Sequence, residues 1–321
     1  MSDESAQNPP PVPVESNPPA PRIVAVVGEL PFVGALLANT LADKGLIPRV
    51  LCPDAAAEAA LRKMSHFERF EIVEGDLGSE DAVSSALKDT HGACLVSPIS
   101  MSGRMYRPNT HLEDVSNLAK AAKQHALRRV VYHSAVGAGA GAHARALREA
   151  ASAEELISTI GCEGFRIRTG PLMGRGDGFL TEIVRAALRA APFMTIDGYG
   201  GTLVQPLAVN DFANGLARVF TVAGDSVAPG LYALVGPKTF SLLELTDSVL
   251  ELGRKFKIKL HLPLFLLKLA AAVPGNAVFR ERVELLFDAF AVEHNDAEKL
   301  MGAGVALRAP LDVEKEILKA S

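Results

Sequence analysis

Cysteine is scarce in this 321-residue chain: Cys52, Cys94 and Cys162 are odd in number and far apart. They form neither a disulfide framework nor a zinc-ligand spacing. Each lies in or beside an apolar run, which predicts small buried side chains and no metal site. Net charge is low as well. At −4, with a pI near 6.1, the chain lacks the basic footprint that nucleic acid requires. No apolar run reaches the length of a bilayer span. The first 21 residues, MSDESAQNPPPVPVESNPPAP, hold seven prolines and little to bury. They predict a solvated, partly polyproline-II tail, or a proline motif for a partner domain. This tail has no apolar signal region and no arginine before Arg22. Neither export nor organelle import is therefore expected, and a cytoplasmic protein is.

What is present is a soluble-protein balance, 48% apolar and 22% charged, in a repeating pattern. Short β-branched runs alternate with helical stretches: IVAVV (23–27), a helix from Phe32 to Lys44, IPRVL (47–51) and an alanine-rich helix after Asp54. The series continues with FEIVEGD (70–76), a helix near 79–88, ACLVS (93–97), a helix near 112–125, RVVYHS (129–134), a helix near 144–159 and GFRIRTG (164–170). Strands separated by helices of 10–15 residues imply βαβ units and a doubly wound parallel α/β sheet. The expected organisation is a tail over 1–21, a Rossmann core over 22–175, and a small C-terminal α/β lobe over 176–321 that returns elements to the core. In the lobe, 183–190 and 241–256 read as helices, the latter capped by Ser241. VQPLAVNDFANGLARVF (204–220) reads as a strand turning into a helix, and LYALVG (231–236) as a strand. Phe279, Val283, Leu286, Phe287 and Phe290 share one face of a further helix.

The segment VVGELPFVG (26–34) follows the first strand and opens a helix, the position of a dinucleotide-binding turn. Gly28 suits the tight turn and Gly34 the close helix–strand packing. Together with EIVEGDL, NLAKAAKQHALRRVVYHSAVGA, RIRTGPLMGRGDGFL, VQPLAVNDFANGLA and HNDAEKLMGAGVALRAPLDVEKEI, this text resembles the atypical or extended short-chain dehydrogenase/reductase superfamily. Within it, the chain is most similar to NmrA-like proteins and the branch containing the nucleotide-binding accessory subunit of respiratory complex I. The resemblance covers nearly all of 22–319. It implies NAD or NADP as cofactor, with contacts from Gly28, Pro31, Phe32, Gly34, Asp54, Asp76, Leu77, Ser97, Ser134 and Pro171.

Two departures stand out. The family loop reads approximately TGATGFVG, and here Pro31 replaces the middle glycine. Proline removes one N–H from the row that faces the pyrophosphate, a loss of about 1–3 kcal/mol. Glu29 adds a carboxylate that, about 4 Å from a phosphate charge, repels it by roughly 1–4 kcal/mol. Glu29 is expected to stand in partly for the phosphate, so the dinucleotide binds weakly. The second departure concerns proton transfer. The family uses a tyrosine four residues before a lysine, whose charge lowers the phenol's pKa. Tyrosines occur only at 106, 132, 199 and 232, none with a lysine four positions on. Ala146 and Ala150 stand where the resemblance places the pair.

Remaining candidates carry alternatives. Asp54 either reaches a ribose hydroxyl or caps its helix, and Arg49 faces that region only if the register shifts. Asp76 either accepts from the adenine amine or caps a turn. Ser134 and His143 are the only catalytic candidates, and His133 should point to the face opposite Ser134. Arg168 and Arg175 either hold an anionic substrate or pair locally, and Asp211 reads as structural. LHLPLFLLKLAAAVPG (260–275), preceded by the basic RKFKIK (254–259), either packs as a core helix or lies against a membrane or protein partner. The expected function is a non-catalytic cofactor-sensing, scaffolding or assembly factor. The alternative is an active NAD(P)-dependent oxidoreductase or epimerase with an atypical proton donor.

Overall fold

The computed structural model describes residues 22–96, 110–175, 177–273 and 277–320. Strands β1 (Ile23–Gly28), β2 (Ile47–Cys52), β3 (Glu71–Glu74), β4 (Gly92–Val96), β5 (Arg129–Ala135) and β6 (Glu163–Thr169) are joined by helices. These are α1 (Ala35–Asp43), α2 (Ala55–Leu61), α3 (Glu80–Leu87), α4 (His111–Gln124) and α5 (Arg145–Ser158). The interiors of β1, β4 and β5 are buried throughout, as parallel strands covered on both faces must be. The chain continues through β7 (Leu172–Met173), α6 (Leu180–Leu188), β8 (Phe193–Asp197), β9 (Leu203–Val204), β10 (Leu207–Ala208) and α7 (Val209–Val219). It then forms β11 (Gly230–Leu234), β12 (Phe240–Ser241), α8 (Leu242–Leu252), β13 (Ile258–Leu262), α9 (Leu264–Ala271), α10 (Ala277–Leu285), α11 (Ala297–Met301) and α12 (Pro310–Ala320).

Seven strands make one parallel sheet in the order β11-β6-β5-β4-β1-β2-β3. The order reverses between β1 and β4, the switch point where such sheets open a ligand crevice at their carboxyl edge. One face is covered by Leu37 and Leu41 of α1 with Phe212 and Leu216 of α7. The other is covered by Leu87 of α3, Leu118 of α4 and Ile157 of α5. A second core joins α6, α8 and α12 to β8, through Val184, Val249, Ile317 and Ile196. Cys52 and Cys94 are buried and Cys162 half-buried, all three with free thiols. Among the described residues, no helix is long and apolar enough to cross a membrane.

Three sequence expectations change. The helix expected over 241–256 stops at Leu252: Ser241 and Glu244 form a capping box at its start, and Arg254 (φ 48°) turns the chain out at its end. Phe290 lies beyond α10. Its backbone N–H donates to Leu203 O at 2.8 Å and its carbonyl accepts from Gln205 N at 2.9 Å, so strand pairing claims it. Over its described residues, 260–273, the apolar run is not a core helix. Pro263 divides it into the end of β13 and the short α9, and only Leu267 and Ala271 of α9 are buried.

Candidate functional site

The turn after β1 is built by two glycines. Gly28 has φ +105°, and a Cβ there would lie 2.1 Å from Val96 O, so only glycine lets β1 pass this close to β4. A Cβ on Gly34 would lie 2.5 Å from Glu29 O. Between them the backbone makes a widened turn: Gly34 N donates to Glu29 O at 3.0 Å and Ala35 N to Leu30 O. Pro31 sits in its first turn, where a missing N–H is tolerated. Phe32 N donates to Glu29 Oε1 at 3.0 Å and Val33 N to Oε2 at 2.8 Å. Burial pushes the Glu29 carboxyl above its ordinary pKa, partly opposed by these amides. The turn stands at the carboxyl end of β1, and its Phe32 and Val33 amides are bonded to the chain's own carboxylate.

Beyond the carboxyl end of β2, Asp54 caps α2, accepting from Ala57 N at 2.8 Å. Asp76 accepts from Gly78 N at 2.9 Å, and Leu77 O accepts from Asn117 Nδ2 at 2.9 Å. Arg49 does not face this region. It pairs with Glu71 at 2.6 Å and donates to the Lys88 carbonyl. Ser97 lies outside the described residues.

Ser134 and His143 sit in different surroundings. The Ser134 hydroxyl is buried and donates to Glu154 Oε1 of α5 at 2.5 Å. Arg168 holds the same carboxylate through two hydrogen bonds. His133 points to the opposite face, where its Nε2 lies 2.9 Å from Thr169 Oγ1 and its ring 4.4 Å from that of Phe212. Burial drives its pKa down to about 3. His143 is exposed, and its Nδ1 lies 3.3 Å from Asp288 Oδ1. Asp211 accepts from Arg308 N at 2.7 Å and tethers the C-terminal segment. Pro171 O accepts from Leu207 N at 2.9 Å, which joins the TGPLMG turn to β10.

Ala146 and Ala150 are buried on α5 against the second core. The helix start is closed by α10 and the residues just after it. Glu281 accepts from Ala146 N at 2.6 Å, and Asp288 accepts from His143 N at 3.0 Å and Ala144 N at 2.9 Å. Glu154, Glu281 and Asp288 are the side chains that the sequence reading missed. Glu154 had a usable signal, since it continues the Ala146, Ala150 face at i+4. A separate cavity of about 330 Å³ lies between α6, β8 and α8, and none of the expected cofactor residues lines it.

Residues 32–170 match the family described as NAD(P)H-binding. The chain is 26% identical over 260 residues to NADH dehydrogenase (ubiquinone) 1 alpha subcomplex subunit 9, mitochondrial, of Arabidopsis thaliana, covering 78% of this chain and 62% of that protein. It therefore spans less than two thirds of that relative's length. Among solved structures, it is similar to the Citrobacter sp. triphenylmethane reductase complexed with NADP(H), with a TM-score of 0.69 at 17% identity over 92% of this chain and 100% of that one. It is also similar to UDP-glucose 4-epimerase from Bifidobacterium longum in complex with NAD+ and UDP, with a TM-score of 0.70 at 14% identity over 92% of this chain and 97% of that one.

Proposed function

We propose that this chain, whose residues 32–170 match the NAD(P)H-binding family and whose seven-stranded parallel sheet is Rossmann-like, is a non-catalytic factor that senses its dinucleotide or serves in scaffolding or assembly. One observation carries the reading. Ala146 and Ala150, where the resemblance places the superfamily's proton-transfer pair, are buried alanines on a helix whose start is closed by Glu281 and Asp288. An alanine methyl cannot exchange a proton, and hydride exchange with a carbonyl needs a partner that can. Ser134 is no substitute while its hydroxyl is held by Glu154 beneath the sheet edge.

Weak binding is part of the same proposal. The expected contacts are the Gly28–Gly34 turn for the pyrophosphate, Asp76 and Leu77 for the adenine, and Pro171 on the nicotinamide side. Glu29 competes for the first of these by occupying the Phe32 and Val33 amides. The similarity to a protein named as a dehydrogenase subunit supports a role within an assembly.

Titration of the purified chain with NADPH and NADH tests the binding. Dissociation constants of roughly tens of micromolar or weaker are expected, and low-micromolar binding would defeat weak binding. A panel of carbonyl substrates, followed by the absorbance of reduced nicotinamide, tests the chemistry. No enzyme-like turnover is expected, and robust turnover abolished by Ser134→Ala would overturn the non-catalytic reading.

A further inference from the structure

The lobe presents a face that no described element covers. Of the fifteen large hydrophobic residues exposed among the described residues, seven fall between Phe256 and Val273. Phe256 is 90% exposed, Phe265 68% and Leu269 69%. Isolated exposed leucines are ordinary, but a concentration of this kind marks a surface that meets something.

The local geometry holds these side chains outward. β13 pairs with β8 in parallel register, Ile258 opposite Phe193, which sets both on one face of the ribbon. The opposite face buries Met194 and Ile196. The ribbon is anchored at one end by the Lys257 ammonium, which donates to the Arg189 and Ala191 carbonyls. After Pro263, α9 packs Leu267 and Ala271 on Val283 of α10. Its outer side carries Phe265 and Leu269 at i, i+4 spacing, and Val273 is exposed just beyond its end.

Charge identifies the occupant. From Leu252 to Arg280 there is no aspartate or glutamate, and the stretch holds six arginines and lysines. Lys257 is buried and Lys259 pairs with Asp247, which leaves Arg254, Lys255, Lys268 and Arg280 as the exposed cations of the stretch. Arg254 and Lys255 are exposed directly beside Phe256. A second copy of the chain placed face to face would bring like charges together, which opposes an isologous dimer here. Basic side chains flanking exposed phenylalanine and leucine match the interface of an anionic bilayer: the cations meet headgroups while the apolar stripe enters the acyl boundary.

We infer that residues 254–273, with Phe193, form a peripheral docking surface for membranes rich in anionic lipid. It lies outside the cofactor turn and does not depend on how the dinucleotide is used.

Co-sedimentation of the full chain with vesicles tests this. One set is phosphatidylcholine alone, and the other an equal mixture of phosphatidylcholine and phosphatidylserine. Binding to the mixed vesicles should exceed binding to the neutral ones by about tenfold or more and weaken as salt rises. Phe265→Glu with Leu269→Glu should reduce it by about tenfold or more, and Arg254→Gln with Lys255→Gln by a similar factor. All four side chains are exposed, so unchanged urea unfolding and NADPH titration should accompany the loss. Equal binding to both vesicle types, or variants that bind like the parent, would overturn the inference. So would substitutions that dissociate a dimer or release an acidic protein partner while the parent chain ignores lipid.

Discussion

Arg168 Nε lies 2.7 Å from Glu154 Oε1 and its Nη2 2.6 Å from Oε2, a two-pronged grip between β6 and α5. The same Oε1 also accepts the Ser134 hydroxyl. Glu154 therefore fastens the helix that follows β5 to two adjacent strands. Glu154→Ala would leave a half-buried guanidinium and a buried hydroxyl without it. The expected loss is about 2–4 kcal/mol, read from the urea midpoint. Ser134→Ala should cost only about 1 kcal/mol, because Arg168 keeps its carboxylate.

Dinucleotide affinity should depend on Glu29. Its carboxyl has a raised pKa through burial, so lowering the pH from neutrality toward that value protonates it and removes the charge that opposes the pyrophosphate. NAD+, whose phosphates stay ionised in this range, should bind more tightly as pH falls. Glu29→Gln should bind about tenfold more tightly at neutral pH and lose that dependence. Calorimetric titration across the range checks both. A parent affinity that is flat or weakens in acid would count against the competition.

Introducing at residues 146 and 150 the tyrosine–lysine pair that the resemblance implies there should fail to create activity. Ala146 and Ala150 are buried in a filled core. Ala146→Tyr with Ala150→Lys forces in a ring and a long charged side chain. A destabilisation of about 2–5 kcal/mol in urea and no gain in turnover are expected.

Acid should weaken the fold through two histidines. Burial lowers His111 to about 4 and His133 to about 3, so the native state holds both neutral at pH values where the unfolded chain protonates them near 6.5. Their contribution is therefore complete above 6.5 and is lost as pH falls toward 4 and below. For His111 alone this amounts to about 3 kcal/mol. Urea midpoints between neutrality and pH 4 should fall, and less steeply in His111→Gln.

The strand and helix series was legible because parallel strands and their covering helices differ in period and length. The Glu29 contacts were legible too, since they span only three and four residues. Glu154 was harder to foresee, because strand register, not sequence proximity, brings Ser134 and Arg168 to it. Glu281 and Asp288 reach α5 from 135 and more residues away, across the lobe. The apolar run 260–275 misled for another reason. Hydropathy reports what a side chain prefers, and α9 places much of that preference on an outer surface.

β11, encoded at Gly230–Leu234, completes the open side of β6, and its Ala233 is held in turn by Asp296. During translation the β6 edge is finished long before either arrives. At about 5–20 residues per second, a nascent chain leaves that edge unpaired for several seconds or more. A sheet that folded on the ribosome before β11 emerged would have six strands and a bare β6 edge open to pairing with neighbouring chains.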